Sequence, residues 1–491
     1  MVDLVLNECI KRGFFLDKEV LEIFKSMKLE KRNKIIDLLS SSQLKEKVIT
    51  KRVLVKNKSL LENVLQKNGV SFEELLEINY IPEVKKDLTE KNFKVVKEPE
   101  FVQKIFEIND FSNLFRQKYN ILKEKFVIDN YTDMTSIRKL PNSGSFSIIT
   151  TVYDKKNTKN KNILLCVEDL TKDANIVIPR SNSHVYELAQ KVFLDDVILI
   201  RGNVVDNLLI ANDIVFPEIK LPKEKTTKGD CYIAFIGDIH CGSNYFLEKN
   251  FLKFIKWINN TEEIKYLFIG GDIIDGVGQY YGQEKDLSIK TISGQYKKFQ
   301  ELLNLFRQNL QIFIIPGNRD SIWIGEPQPK FNINQFGEFK NYDNISFVGN
   351  PSIINIEDSV NILLYHGMNI YNLINEKKEL KDKYGYNSPN ILIKDLLNSR
   401  QLSPEYGFTD TIIDKNASLV LDIIPDIILT SHFHRCNVDV KNNILMVNGS
   451  CWIKNPKYFN KKGIESEYCK VPIINLKNRE IKIMDFNNEV E

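Results

Sequence analysis

The rhythm of hydrophobic and polar positions changes several times along the chain. Up to about residue 75, Val20, Ile23 and Phe24, then Ile35, Ile36, Leu38 and Leu39, recur at helical spacing among charges. This predicts an N-terminal helical region over 1–80, with Asp17 as an N-cap. Residues 80–100 are rich in Lys and Glu and contain Pro82 and Pro99, the texture of a linker whose charges are solvated. A linker and helix are therefore expected over 81–124. From 125 to 216 the period shortens to that of strands. Strands are predicted at 146–153, 163–167 and 174–178, then a helix at 182–191 capped by Ser181 or Asn182, then strands at 197–204 and 208–215. Strand-strand-strand-helix-strand-strand is the element order of an OB-fold barrel. A Lys-rich linker with Pro217 and Pro222 spans 217–230.

Beyond 231, short continuous apolar runs each stop abruptly in a polar loop. Residues 232–236 run into Gly237-Asp238, 266–269 into Gly270-Gly271-Asp272, and 312–315 into Pro316-Gly317-Asn318. Residues 362–365 run into His366-Gly367, and 427–430 into Ser431-His432. Tyr296, Phe299, Leu302, Leu303, Phe306 and Leu310 form a helical stripe between two of these runs. Continuous apolar runs are the mark of strands buried on both faces. Ligands in α/β sheets bind outside the carboxyl ends of strands. The expectation is an α/β domain over 231–491 with its polar loops on one edge of one sheet.

Composition narrows the class. The 491 residues are 43% hydrophobic and 27% charged, ordinary for a globular chain of about three domains. No run approaches the roughly 18 apolar residues of a membrane helix, and Met1-Val2-Asp3-Leu4 lacks a signal-peptide start. Seven scattered cysteines with no Cys-x-x-Cys pair suit a reduced, cytoplasmic protein without a zinc ribbon. A net charge of +3 is too mild to mark nucleic-acid binding by itself, so any basic footprint is local. The hairpin tip at Lys155 and Lys156 is one candidate phosphate contact, with a solvated turn as the alternative.

The loops carry the chemistry. They hold Asp238-Ile239-His240, Gly271-Asp272, Gly317-Asn318, His366-Gly367 and His432-Phe433-His434, which includes four of the five histidines. Imidazole and carboxylate together suit manganese, iron or zinc. One shared carboxylate can hold two cations, as in two-metal hydrolases. Asp238 and His240 lie two apart, as do His432 and His434, so each pair points to one side of an extended segment. Glycines 237, 271 and 317 leave room for close backbone approach.

Asp-x-His, Gly-Asp, Gly-Asn, His-Gly and His-x-His, in this order, resemble the motif set of the calcineurin-like metallophosphoesterase superfamily over about residues 230–455. That resemblance implies a two-layer β-sandwich flanked by helices, holding two divalent metal ions. It implies Asp238, His240, Asp272 and His434 at one metal, with Asp272 as bridge to Asn318, His366 and His432 at the other. The preceding OB-like and helical regions, and the stretch from Gly271 to Glu284, resemble the small subunits of archaeal family D DNA polymerases. That closer resemblance implies a manganese-dependent 3′–5′ proofreading exonuclease acting on DNA, in a heterodimer with a large polymerase subunit and with no membrane association.

One position departs from the pattern. Where the superfamily reads Gly-Asn-His, this chain reads Gly317-Asn318-Arg319. The histidine is expected to protonate the leaving oxygen. Arginine does not give up a proton usefully but clamps phosphate well. The catalytic candidates are thus Asp272, Asn318 and Arg319, with slow turnover expected. The competing reading is a non-catalytic scaffold that binds the large subunit and DNA. A free-standing phosphodiesterase would not need the N-terminal regions. Tyr281, with Tyr280 and Trp323, could stack bases near the site or simply pack a loop.

Overall fold

The computed structural model describes residues 92–102, 106–128, 134–332, 343–386, 389–454 and 466–487, with isolated positions before residue 50. The chain divides into two compact units, 1–91 and 92–491. In the first, Phe15–Leu16 (β1) pairs in parallel with Val48–Ile49 (β2). Val20 and Ile36 are helical and buried there; the other positions of the predicted N-terminal helices lie outside the described residues.

The second unit opens with Phe93–Lys97 (β3) and the helix Ile108–Ile128 (α1). Five strands then follow: Gly144–Asn157 (β4), Ile163–Glu168 (β5), Asp173–Ile178 (β6), and, after the helix Ser183–Lys191 (α2), Val197–Val205 (β7) and Leu208–Val215 (β8). They close in the order β4-β5-β6-β8-β7, the OB-fold barrel the sequence predicts. Asn182 is the N-cap of α2, its side chain accepting the Val185 N–H. Ile148, Val152, Leu165, Ile176, Ile198 and Ile200 alternate inward and fill the barrel.

The rest is a sandwich of two six-stranded sheets. Its elements are Tyr232–Ile236 (β9), Glu248–Asn259 (α3), Ile264–Ile269 (β10), Ile292–Leu303 (α4), Gln311–Ile314 (β11), Ile345–Phe347 (β12), Ser352–Ile356 (β13) and Val360–Tyr365 (β14). They continue with Met368–Glu376 (α5), Lys378–Tyr384 (α6), Pro389–Ser399 (α7), Ile427–Thr430 (β15), Asn437–Lys441 (β16), Ile444–Asn448 (β17), Lys470–Asn475 (β18) and Ile481–Asp485 (β19). One sheet runs β12-β11-β10-β9-β18-β19 and the other β16-β17-β15-β14-β13-β3. Phe235, Phe268, Phe313, Ile354, Ile362, Leu364, Leu429 and Val447 fill the space between them. The opposite faces are covered, one by a cluster including α3 and α4, the other by one including α5 and α7. Burial on both faces is why the central strands read as unbroken apolar runs.

Three expectations need correction. The polar loops do not share one sheet: β9, β10 and β11 are parallel neighbours in the first, β14 and β15 in the second. Residues 93–97, read as linker, form β3 at the edge of the second sheet. Phe93 and Val95 alternate with Lys94 and pair antiparallel with β13, a period of two that the flanking charges obscure. The helix read within 81–124 runs on to Ile128. Its Tyr119, Leu122 and Phe126 pack against Ile149, Val197 and Leu199 of the barrel and Ala417 and Val420 of the sandwich region.

Candidate metal centre

Five strand ends, three from one sheet and two from the other, bring the seven polar side chains together. Asp238 and His240 follow β9, Asp272 follows β10 and Asn318 follows β11; His366 follows β14, and His432 and His434 follow β15. The loops are laced by backbone bonds. The Asp238 and His240 amides donate to the carbonyls of Gly271 (3.0 Å) and Asp272 (2.9 Å). The His432 amide donates to Asp238 Oδ2 across the sheets at 2.8 Å.

The side chains do not converge by strand alternation. Asp238, His240, Asp272, His432 and His434 all have positive φ, from 50° to 71°. Such left-handed backbone is costly for residues with a Cβ, about 1–3 kcal/mol each, and clusters at functional sites. The extended segment expected at Asp238-x-His240 and His432-x-His434 is therefore replaced by tight left-handed turns, because β9 and β15 end at Ile236 and Thr430. Glycine is needed at 317. A Cβ there would lie 2.3 Å from Asp272 Oδ1 and 2.7 Å from His366 Cε1.

Two groups of ligand atoms result, each lying within 4.8 Å of one another: Asp238, His240 and His434, and Asp272, His366 and His432. His240 Nε2 faces His434 Nε2 at 3.4 Å, and His432 Nδ1 faces His366 Nε2 at 3.1 Å. Asn318 Oδ1 is 2.9 Å from His366 Nε2. Asp272 lies between the groups. Its Oδ2 is 3.9 Å from His240 Nε2 and its Oδ1 is 3.6 Å from His366 Nε2.

This donor set fits divalent cations. Asp238 Oδ1 is buried with no hydrogen-bond partner and lies 3.5 Å from His434 Nε2. A buried carboxylate oxygen facing imidazole nitrogens is the arrangement a metal ion satisfies. Burial raises the Asp238 carboxyl, but His434, then His366 and His240, overcome it and hold it well below the usual carboxylate range. Burial and the neighbouring His366 push His432 far down, favouring the neutral imidazole, the form able to bind a metal. His434 is also lowered by burial, against the pull of Asp238. His240 and His366 are raised: burial opposes this, but Asp275 and Asp272 prevail at His240, and Asp272 and Asp238 at His366.

Behind these side chains lies an orienting layer. Asp275 Oδ1 is 2.9 Å from His240 Nδ1 and so aims Nε2 at the centre. Gly270 O, 2.8 Å from His366 Nδ1, does the same there. Asp320 accepts the amides of Gly317, Ile273 and Ile274, tying the Asn318 loop to the Asp272 loop. Burial and the nearby Asp272 raise its carboxyl well above the usual range. Sequence reading missed Asp275, Asp320 and Gly270. Asp275 was the most findable, a carboxylate three residues after Asp272 in the same loop.

Asn318, Arg319 and His432 are half-buried, whereas Asp238, His240, Asp272, His366 and His434 are buried. The centre is therefore reached past Asn318, Arg319 and His432. The Arg319 amide donates to Asp272 Oδ1 at 2.7 Å, and its guanidinium lies 5.7 Å from the centroid of the Tyr280 ring. Tyr281 is fully exposed.

The two lysines of the barrel, candidate phosphate contacts, each have partners within the protein. Lys155 lies in β4, and its Nζ donates to the carbonyls of Ala189, Gln190 and Val192 at the end of α2, 2.6 Å from the last. It sits there as a helix-terminal cation, where the last carbonyls lack i+4 amide partners, although Ala189 O also accepts the Val192 N–H at 3.4 Å. Lys156 is exposed and paired with Asp154.

A family model for the B subunit of DNA polymerases alpha and epsilon matches residues 233–436. The DNA polymerase II small subunit of Methanothermobacter thermautotrophicus is 30% identical over 403 residues, covering 78% of this chain and 80% of the relative. That of Methanocaldococcus jannaschii is 31% identical, covering 75% and 64%. That of Archaeoglobus fulgidus is 33% identical, covering 65% and 66%. Among solved structures, one described as a novel archaeal phosphodiesterase is 15% identical, covering 52% of this chain and 98% of its own, with a TM-score of 0.26. With about 30% identity sustained across most of both chains, this protein belongs to the family of archaeal DNA polymerase II small subunits.

Proposed function

We propose that the chain is a 3′–5′ exonuclease that removes nucleotides from DNA ends as the small subunit of a replicative polymerase. Its partner would be a large polymerase subunit, and its place of work the cytoplasm. The observation that carries this reading is Asp272, whose two oxygens are divided between the two histidine groups. One carboxylate set between two imidazole clusters is what a pair of cations would share. Asp238, His240, Asp272 and His434 would hold one cation, and Asp272, Asn318, His366 and His432 the other, with manganese the metal of first choice. A pair of cations held there would neutralise a phosphodiester and lower the pKa of water.

The residues themselves divide the remaining work. Asp275 keeps the His240 tautomer that presents Nε2. Asp320 holds the Asn318 loop at its distance from Asp272. Arg319, at the mouth, binds and neutralises phosphate but holds no proton to give to the leaving oxygen. That substitution favours the second reading, a scaffold that binds DNA and the large subunit without cutting.

The test is digestion of a 5′-labelled single strand in manganese by the full chain. Shortening from the 3′ end is expected, abolished in Asp272→Ala. Arg319→His should speed it by about tenfold or more, within the range of general-acid catalysis, whereas Arg319→Ala should not. If neither the natural chain nor Arg319→His cleaves, the scaffold reading replaces the enzyme.

A further inference from the structure

The two loops that supply Asp272 and Asn318 also carry large apolar side chains into solvent. On the first, Tyr281 is fully exposed and Val277 partly so. On the second, Trp323 is 48% and Ile324 71% exposed. Large apolar side chains exposed on two adjoining loops at a polar cleft are candidates for a binding surface when they form one patch.

The exposure of Tyr281 is not that of a loose tip. Gln283, two residues on, is buried, and its Nε2 donates to both the carbonyl and Oδ2 of Asp275 at 3.1 Å. Its Oε1 accepts the Gln279 amide at 2.8 Å. Tyr280 and Tyr245 donate their hydroxyls to the two oxygens of Asp286, at 2.9 and 3.0 Å. Gln295 accepts the Gly276 amide at 2.9 Å. The turn is thus pinned on both sides of Tyr281, and Gly282, at φ +83°, directs the chain back. Trp323 is held as well: Phe101 meets its ring edge-on at 4.8 Å, and Gln328 binds both its carbonyl and that of Gly317. The loops abut, since a Cβ on Gly276 would lie 2.6 Å from Arg319 O.

We propose that Tyr281 and Trp323 form an aromatic rim that stacks the unpaired bases of a single-stranded 3′ end whose phosphate lies at the metal centre. The proposal deepens the nuclease reading and rests on it for the identity of the strand. Nucleic acid is favoured over a protein partner by the guanidinium of Arg319, which lies over Tyr280 where rim and centre meet, a cation placed for a phosphate between stacked bases. Rigid aromatic side chains beside a cationic group are the means by which single strands are held without reading sequence. Bases in a duplex are stacked on each other and cannot reach such a rim, so it would select frayed ends.

The test compares two fluorescent 12-mers with phosphorothioate linkages that slow cleavage, one normal and one abasic at its three 3′-terminal positions, in manganese with the full chain, read before any shortening. Both carry the same phosphates, so their affinity ratio isolates the bases. The natural protein is expected to prefer the normal strand by about tenfold or more. Tyr281→Ala and Trp323→Ala should each cut that ratio at least fivefold, and Tyr281→Phe should keep it. A ratio near one, or a ratio that neither alanine variant changes, overturns the proposal. So does loss of large-subunit binding in the variants with the ratio intact, which would make the rim a protein-docking patch. Absence of cleavage of ordinary strands would sink the nuclease reading alone, because the binding ratio needs no turnover.

Discussion

Gly317→Ala adds one methyl group at the narrowest point of the centre. The new carbon would stand 2.3 Å from Asp272 Oδ1, 2.5 Å from Asp272 N and 2.7 Å from His366 Cε1. Two of these neighbours are atoms of the residue proposed to bridge the metals, and the third belongs to the fully buried His366 ring. Relief to ordinary contact requires Asp272 Oδ1 and the 317–320 loop to separate by about 1 Å, and a misplacement of that size costs about 10²-fold in rate. The overpacking itself should cost about 1–3 kcal/mol of stability. The Arg319 amide, 2.7 Å from Asp272 Oδ1, would lose its bond as the carboxylate retreats. The assay is manganese content by elemental analysis together with 3′-end digestion, each beside a thermal melt. Gly229→Ala is the control, since nothing lies within 4 Å of a Cβ there. The expected variant folds, binds less metal and cleaves about a hundredfold more slowly. Full metal content with natural turnover would refute the claim that the distance between Gly317 and Asp272 sets the geometry of the centre.

Asp275→Ala should weaken manganese binding by about 10–100-fold, measured by calorimetry, because His240 loses the partner that fixes its tautomer. Asp196 is buried at the base of the barrel, and burial, against the pull of the Phe193 amide and Lys118, raises its carboxyl to about 7. The folded state therefore holds a proton that the unfolded state releases near 3.8, so this group's contribution to stability falls as pH rises through the window up to about 7. Melts of Asp196→Asn should gain on the natural protein across that window, and a constant difference would count against the assignment. Lys155→Met should destabilise the barrel by about 1–3 kcal/mol, chiefly through the Val192 carbonyl it leaves unpaired, while the salt slope of DNA binding stays as it is.

Much of this arrangement was legible in the residues. The strands of the sandwich are buried on both faces, so their apolar runs stop where the loops begin, and the stops coincide with Asp238, Asp272, Asn318, His366 and His432. The barrel was readable because its strands alternate and Asn182 caps the one helix between them. What the residues hid was long-range. Phe93–Lys97 belongs to a sheet whose partner strand lies some 260 positions away, and no local period announces that pairing. The division of the five loops between two sheets follows from topology, not from the loops. The left-handed turns at Asp238 and His240 arise because the strand has already ended, whereas a spacing of two suggested that it continued. Lys155 looked like a hairpin tip because the reach of β4, to Asn157, was underestimated.

Because its residues are drawn from both layers of the sandwich, the centre is a rivet through a seam. The His432 amide reaching Asp238 is its thread within the protein, and a cation held by His240 and His434, or by Asp272 and His366, would be its shank. Any fluctuation that slides or parts the layers must first pull these atoms out of register. Ligand that binds only the closed arrangement removes such openings from the ensemble in proportion to its occupancy. Cation concentration would then govern how often this edge of the sandwich breathes, making ionic supply a mechanical setting of the fold as well as a chemical one.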